Sequence, residues 1–146
     1  MDKLEILNNF ILEINPFYEV FEDECFSSDW RNLEVYVYLG QEELEGDKEY
    51  INFIKKEYNF QPNNFIISFL HEIGHLETET QRLSDNRAIE YATLEYAFEN
   101  NLITREQLFD KYFKIEAEIL ATNWAVNYYK NNEEKINKLI KTIDII

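Results

Sequence analysis

Cys25 is the only cysteine among 146 residues, so no intrachain disulfide can form and the fold must rest on its core. Proline, with 2 residues, and glycine, with 3, are almost as scarce. That leaves few obligatory breaks and favours helices over a turn-rich all-β chain. Positive charge is also short: 14 Lys and Arg against 29 Asp and Glu give a net charge of -15. Such a surface repels nucleic acid, whose binding rests on Lys and Arg neutralising phosphates, and no basic run interrupts the acidity. No apolar run approaches the roughly 20 residues that cross a bilayer, so no membrane contact is expected. The opening Met1-Asp2-Lys3-Leu4-Glu5 lacks the basic-then-apolar pattern of a secretory signal, and a cytoplasmic protein is expected. Histidine is nearly missing too. The two present, His71 and His75, stand four residues apart.

What is abundant suits one domain over residues 1–146: a 45% hydrophobic and 16% aromatic content excludes disorder across the body. In residues 1–59, Leu4, Ile6, Leu7, Phe10, Ile11 and Ile14 mark a helix over 2–14 that Asn15-Pro16 ends. Phe17 to Phe21 reads as a short strand and Leu33 to Leu39 as a clearer one, with Glu22 to Asn32 connecting them. An exposed edge of so small a sheet either takes a substrate strand or is blunted by its own charges. Glu42 to Tyr58 is a charged helix whose first turns Gly46 can break. In residues 60–146, Pro62-Asn63-Asn64 caps a helix over about 64–80 that is apolar nearly all round, hence buried. Ser84 or Asp85 caps a helix to about Asn100, Thr104 a long helix from Arg105 to about Asn131, and Glu133 to Ile143 forms a short amphipathic one.

Within the buried helix lies His71-Glu72-Ile73-Gly74-His75. Residues i and i+4 share a helix face, so both imidazoles can reach one metal ion, and Glu72 can reach its water. This is the HExxH arrangement of zinc metallopeptidases. A peptidase site needs a third protein ligand. The metzincin solution, a His six residues on with a Gly between, is excluded by Gln81 and Thr78. No third histidine exists, which leaves a carboxylate, with Cys25 a distant alternative. Glu77 and Glu79 share the histidines' helix and are badly placed to close the site. Glu90, Glu95, Glu99, Glu116 and Glu118 remain. Glu118 shares its face with Ala121, Thr122 and Ala125, small residues that let two helices approach closely, whereas Glu116 shares its face with core-filling Tyr112 and Phe113. Glu118 is favoured and Glu90 is the runner-up.

The stretch from Phe69 to His75, followed by Glu118-Ile119-Leu120-Ala121-Thr122-Asn123-Trp124-Ala125, resembles the ImmA/IrrE-type metallopeptidases and related short phage and mobile-element proteins. These carry an HExGH helix and a later E-x-x-A-[DN]-x-[FW]-A helix. The resemblance spans about residues 60–129 and departs from the pattern at Thr122, where the family has Asp or Asn. It implies an α+β fold: a helix-rich, minimal zincin-like domain with a two- or three-stranded sheet packed on the active-site helix. It further implies Zn2+ held by His71, His75 and Glu118, with Glu72 as general base and acid. The substrate would be a protein or peptide, such as a regulator. The charge of -15 suits a basic partner. It also supports an alternative, an acidic binding module or inhibitor of a basic nucleic-acid-binding protein, with the metal site structural or vestigial.

Overall fold

Asp2 accepts a hydrogen bond from the Glu5 backbone N–H and so caps the first helix, α1 (Lys3–Leu12). A computed structural model describes residues 1–145. After α1 come strands β1 (Glu19–Glu22), β2 (Ser27–Asp29) and β3 (Glu34–Val37), then helices α2 (Glu45–Tyr58), α3 (Asn64–Thr78) and α4 (Gln81–Glu99). Helices α5 (Arg105–Phe113), α6 (Glu116–Asn131) and α7 (Glu133–Ile145) complete the described residues. The class is α+β, as the composition and periodicity suggest.

The sheet is small and mixed, in the order β1-β3-β2, with β1 parallel and β2 antiparallel to β3. Val20, Val35 and Val37 point into the core while Phe21 stacks on Tyr36 outside, the period-two alternation that one buried face requires. On the outer edge of β1, Asn8 of α1 takes the place of a neighbouring strand. Its Oδ1 accepts from Val20 N–H and its Nδ2 donates to Val20 O. Strand β2 falls within the stretch expected to be a plain connection. Its residues, Ser27-Ser28-Asp29, carry no apolar alternation, so its strand state comes from pairing with β3 rather than from propensity.

Three helix boundaries also differ from the sequence reading. Thr80, not Ser84 or Asp85, caps α4 by accepting from Leu83 N–H. Helix α2 begins at Glu45, so Gly46 lies in its first turn, and Glu42 to Leu44 stay outside. The single helix expected from Arg105 to Asn131 is two. Thr104 does start α5, with a capping box to Gln107, but Ile115 is extended (φ -60, ψ 138) and α6 restarts at Glu116. No Gly or Pro marks this break. Ile115 is 4% exposed, so the break buries an apolar side chain. As a result Glu118 lies in the first turn of α6, where the helix dipole favours a carboxylate.

Helix α3 runs through the centre. Ile66, Ile67, Phe69, Leu70 and Ile73 are at most 1% exposed. They pack with Leu7 and Ile11 of α1, the sheet valines, and Val126 and Ile136 of α6 and α7. The small residues Ala117, Ala121 and Ala125 of α6 are buried as well. A Cβ on Gly74 would lie 2.4 Å from the Ala121 carbonyl oxygen, so the α3–α6 approach depends on glycine there.

Candidate metal centre

Helix periodicity puts His71 and His75 of α3 on the face turned to α6, and the tight α3–α6 approach brings Glu118 to them. All three side chains are buried: the residues are 6%, 3% and 2% exposed. His71 Nε2 lies 3.1 Å from His75 Nε2 and 3.1 Å from Glu118 Oε1, and His75 Nε2 lies 2.9 Å from Glu118 Oε2. Their donor atoms are close enough together to hold one metal ion.

The far side of each ring explains why these nitrogens face inward. His75 Nδ1 is 2.9 Å from Glu79 Oε2, an acceptor-only group, so Nδ1 carries a hydrogen, and Nε2 is the nitrogen that offers a lone pair when the ring gives up its second proton. His71 Nδ1 is 2.8 Å from Tyr50 Oη and 3.2 Å from Thr122 Oγ1, and these hydroxyls lie 3.0 Å from each other. Both hydroxyls can accept from Nδ1, so this side of the ring supports the tautomer that frees Nε2 to bind an ion. Two imidazoles and a carboxylate converging on one buried point call for positive charge there, which a proton on His75 or a bound cation supplies. Arg87 of α4 partly meets that need from the rim: its Nη1 is 3.1 Å from Glu79 Oε2 and 3.3 Å from Glu118 Oε2. It also lies 3.0 Å from His75 Nδ1.

Charge coupling in the cluster is strong. Burial opposes a charge on His75, but Glu118 and Glu79 outweigh it and lift its pKa from 6.5 to about 10. Burial likewise opposes ionised Glu118, and the two histidines hold it well below the ordinary carboxylate range. The donors fit zinc. Nitrogen and oxygen atoms ~2.0–2.1 Å from one tetrahedral ion lie about 3.3 Å apart, within a few tenths of the spacing observed. Two imidazoles and one carboxylate are one of the three-donor sets that hold zinc with a fourth position open.

The other candidates lie elsewhere. Glu116 is exposed and pairs with Arg82; Glu90, Glu95 and Glu99 are exposed on α4; Cys25 is exposed. Glu77 is exposed too. Glu79, set aside as a ligand on the expectation that the histidines' helix runs to about 80, is the extended residue just after α3 and serves instead as the partner of His75. That contact was legible, since 75 and 79 are one helical turn apart. Thr122, the departure from the family pattern, still offers a hydroxyl to His71. Tyr50 and Arg87 had no signal in the sequence.

Beside the cluster opens a cleft of about 170 Å³, lined by Asp47, Tyr50, Ser68, Glu72, Tyr112 and others. Glu72 is half-buried there. Asp47 is half-buried as well, and burial with the nearby Glu72 charge pushes it up to about 6. Burial and the Glu118 charge raise the Tyr112 phenol, which stays protonated. No family model, curated protein or solved structure matches the chain. Among the described residues no helix is long and apolar enough to cross a membrane.

Proposed function

We propose that this chain is a small zinc-dependent peptidase, a zincin of the ImmA/IrrE type, that hydrolyses a peptide bond in a specific protein such as a regulator. The observation that carries this reading is the buried convergence of His71, His75 and Glu118 next to a cleft that Glu72 lines. His71, His75 and Glu118 are the residues that would hold the ion. When bound, zinc supplies Lewis acidity toward a carbonyl and lowers the pKa of water toward about 7.

The chain's own groups do the rest. Glu72 takes a proton from the attacking water as its oxygen bonds to the carbonyl carbon. It then gives that proton to the leaving amine as the C–N bond breaks. Tyr112, a protonated phenol on the cleft wall beside Glu118, is the donor we assign to the developing oxyanion. Tyr50 also lines the cleft, but its hydroxyl is engaged with His71 and Thr122, so it orients the ring. Glu79 and Tyr50 fix the imidazole tautomers, the role that outer partners of metal-binding histidines perform.

The test is elemental analysis of protein purified without chelator, followed by a search for cleaved proteins by mass spectrometry. One zinc per chain is expected, and Glu72→Gln should retain it while losing cleavage. Protein that neither carries nor takes up stoichiometric metal would sink the reading.

A further inference from the structure

Asp47 and Ser68 flank the cleft without taking part in the metal cluster. Asp47 is half-buried in the first turn of α2. The charged groups facing it are Glu72, Glu43 and the His71 ring, with no lysine or arginine among them. Ser68 lies one turn before Glu72 on α3, is 4% exposed, and its Oγ has no hydrogen-bond partner among the described residues. Helical hydroxyls usually bond back to the carbonyl four residues earlier. Thr78, Thr93 and Thr142 all do so here. Ser68 does not, and it lines the cleft. A buried hydroxyl left unpaired is costly, and a ligand group that supplies its partner removes that cost.

Phe26, Phe109 and Phe113 give the recess an aromatic wall, and His71 and Glu118 line it as well. At about 170 Å³ the space is below the ~300–1,000 Å³ of a pocket for a whole small molecule and matches one side chain. Even with a divalent ion at the three donors the locality stays net negative. Asp47, Glu72, Glu79 and Glu118 outnumber the charges of the ion and Arg87.

We propose that this recess receives an arginine side chain of the substrate, with Asp47 pairing the guanidinium, Ser68 Oγ accepting one of its N–H groups, and the aromatic rings covering its methylenes. Arginine suits the site better than lysine because its fork of donors reaches two acceptors at once and its plane stacks on rings. The assignment rests on the peptidase reading for the word substrate, but the pocket can be tested without turnover.

Fluorescein-labelled hexapeptides that differ at one position, arginine, lysine or the neutral isostere citrulline, are titrated against zinc-loaded protein and binding is read by anisotropy. The arginine peptide should bind about tenfold or more tighter than the citrulline peptide, as a charge-assisted bond implies. Asp47→Asn should erase that preference without lowering the melting temperature, and Glu134→Gln, a remote exposed acid on α7, should keep it. Equal binding of the arginine and citrulline peptides overturns the proposal, as does a preference that survives Asp47→Asn or that Glu134→Gln reduces equally. The two readings fail separately. An arginine peptide bound by this preference yet never cut counts against the peptidase; peptides cut without regard to arginine count against the pocket.

Discussion

Replacing Gly74 by alanine tests the link between helix packing and metal chemistry. The added Cβ would stand 2.4 Å from the Ala121 carbonyl oxygen and 3.0 Å from its Cα and carbonyl carbon. These are backbone atoms of α6, so no rotamer change relieves the clash, and the helices must separate by about 1 Å at this point. Overpacking of this kind costs about 1–3 kcal/mol, and alanine returns about 1 kcal/mol of helix propensity. The net loss of about 0–2 kcal/mol lowers the melting temperature by at most about 8 °C in a chain this size. Zinc affinity has no such offset. Ala121 is one turn after Glu118, so the same displacement draws the carboxylate away from two histidines it now meets at 2.9 and 3.1 Å. A ligand bond of ~2.0–2.2 Å does not survive a shift of about 1 Å. Affinity should fall about 100-fold or more, beyond the 10–100-fold typical of losing an outer partner. Competition with a chromophoric chelator measures it. Gly46→Ala is the control, because a Cβ there meets nothing within 4 Å, and it should bind zinc as the parent does. A Gly74→Ala protein whose affinity stays within about threefold of the parent would refute the reasoning.

Four further outcomes are expected. Tyr50→Phe removes the closer of the two hydroxyls at His71 Nδ1 (2.8 Å against 3.2 Å for Thr122); it should weaken zinc binding about 10–100-fold, and Thr122→Val less, both read by the same competition. Glu79→Gln leaves an amide that can still accept from His75 but no longer carries the charge that Arg87 meets at 3.1 Å; zinc affinity should drop about tenfold, and an unchanged value would remove Glu79 from the centre. Asn8→Ala strips the two bonds that hold the β1 edge at Val20; a loss of about 1–3 kcal/mol on denaturant unfolding is expected, with zinc stoichiometry intact. The preference for arginine over citrulline peptides should depend on pH. Asp47 has its pKa raised to about 6, so it is charged above and neutral below that value. The preference is therefore full at neutral pH and fades as pH falls through 6. Glu72, Glu43 and His71 are the other groups facing Asp47, so Asp47→Asn must flatten the profile for the attribution to hold.

Local signals account for what the sequence made legible. The i, i+4 pair of histidines needs only a helix, and Asn63 and the apolar run from Phe65 to Leu76 supply one. Glu118 emerged from counting small residues on one face, and Ala121 and Ala125 are indeed fully buried against α3. The readings that missed depend on contacts between distant segments. Strand β2 exists because β3 pairs with it, and Ser27-Ser28-Asp29 has no pattern of its own. The break before α6 comes with a buried Ile115 and without the Gly or Pro that usually announces a helix end. Tyr50 reaches His71 from 21 residues away and Arg87 reaches Glu118 across 31, separations over which periodicity carries no information.

The break at Ile115 bears on chemistry as well as topology. Were residues 105–131 one helix, Glu118 would sit in a helix interior. Starting α6 at Glu116 sets Glu118 in the first turn, where backbone N–H groups without helical partners and the positive end of the dipole stabilise its anion. The same break separates α5 from α6, and α5 supplies Phe109, Tyr112 and Phe113 to the cleft wall. One irregularity of the chain thus adds to the histidines' hold on the charge of the third donor and sets the aromatic wall of α5 beside it. Restoring a continuous helix here would disturb both the candidate metal centre and the recess at Asp47, whereas Gly74→Ala reaches the metal centre through the α3–α6 contact and leaves the α5 wall of the recess in place.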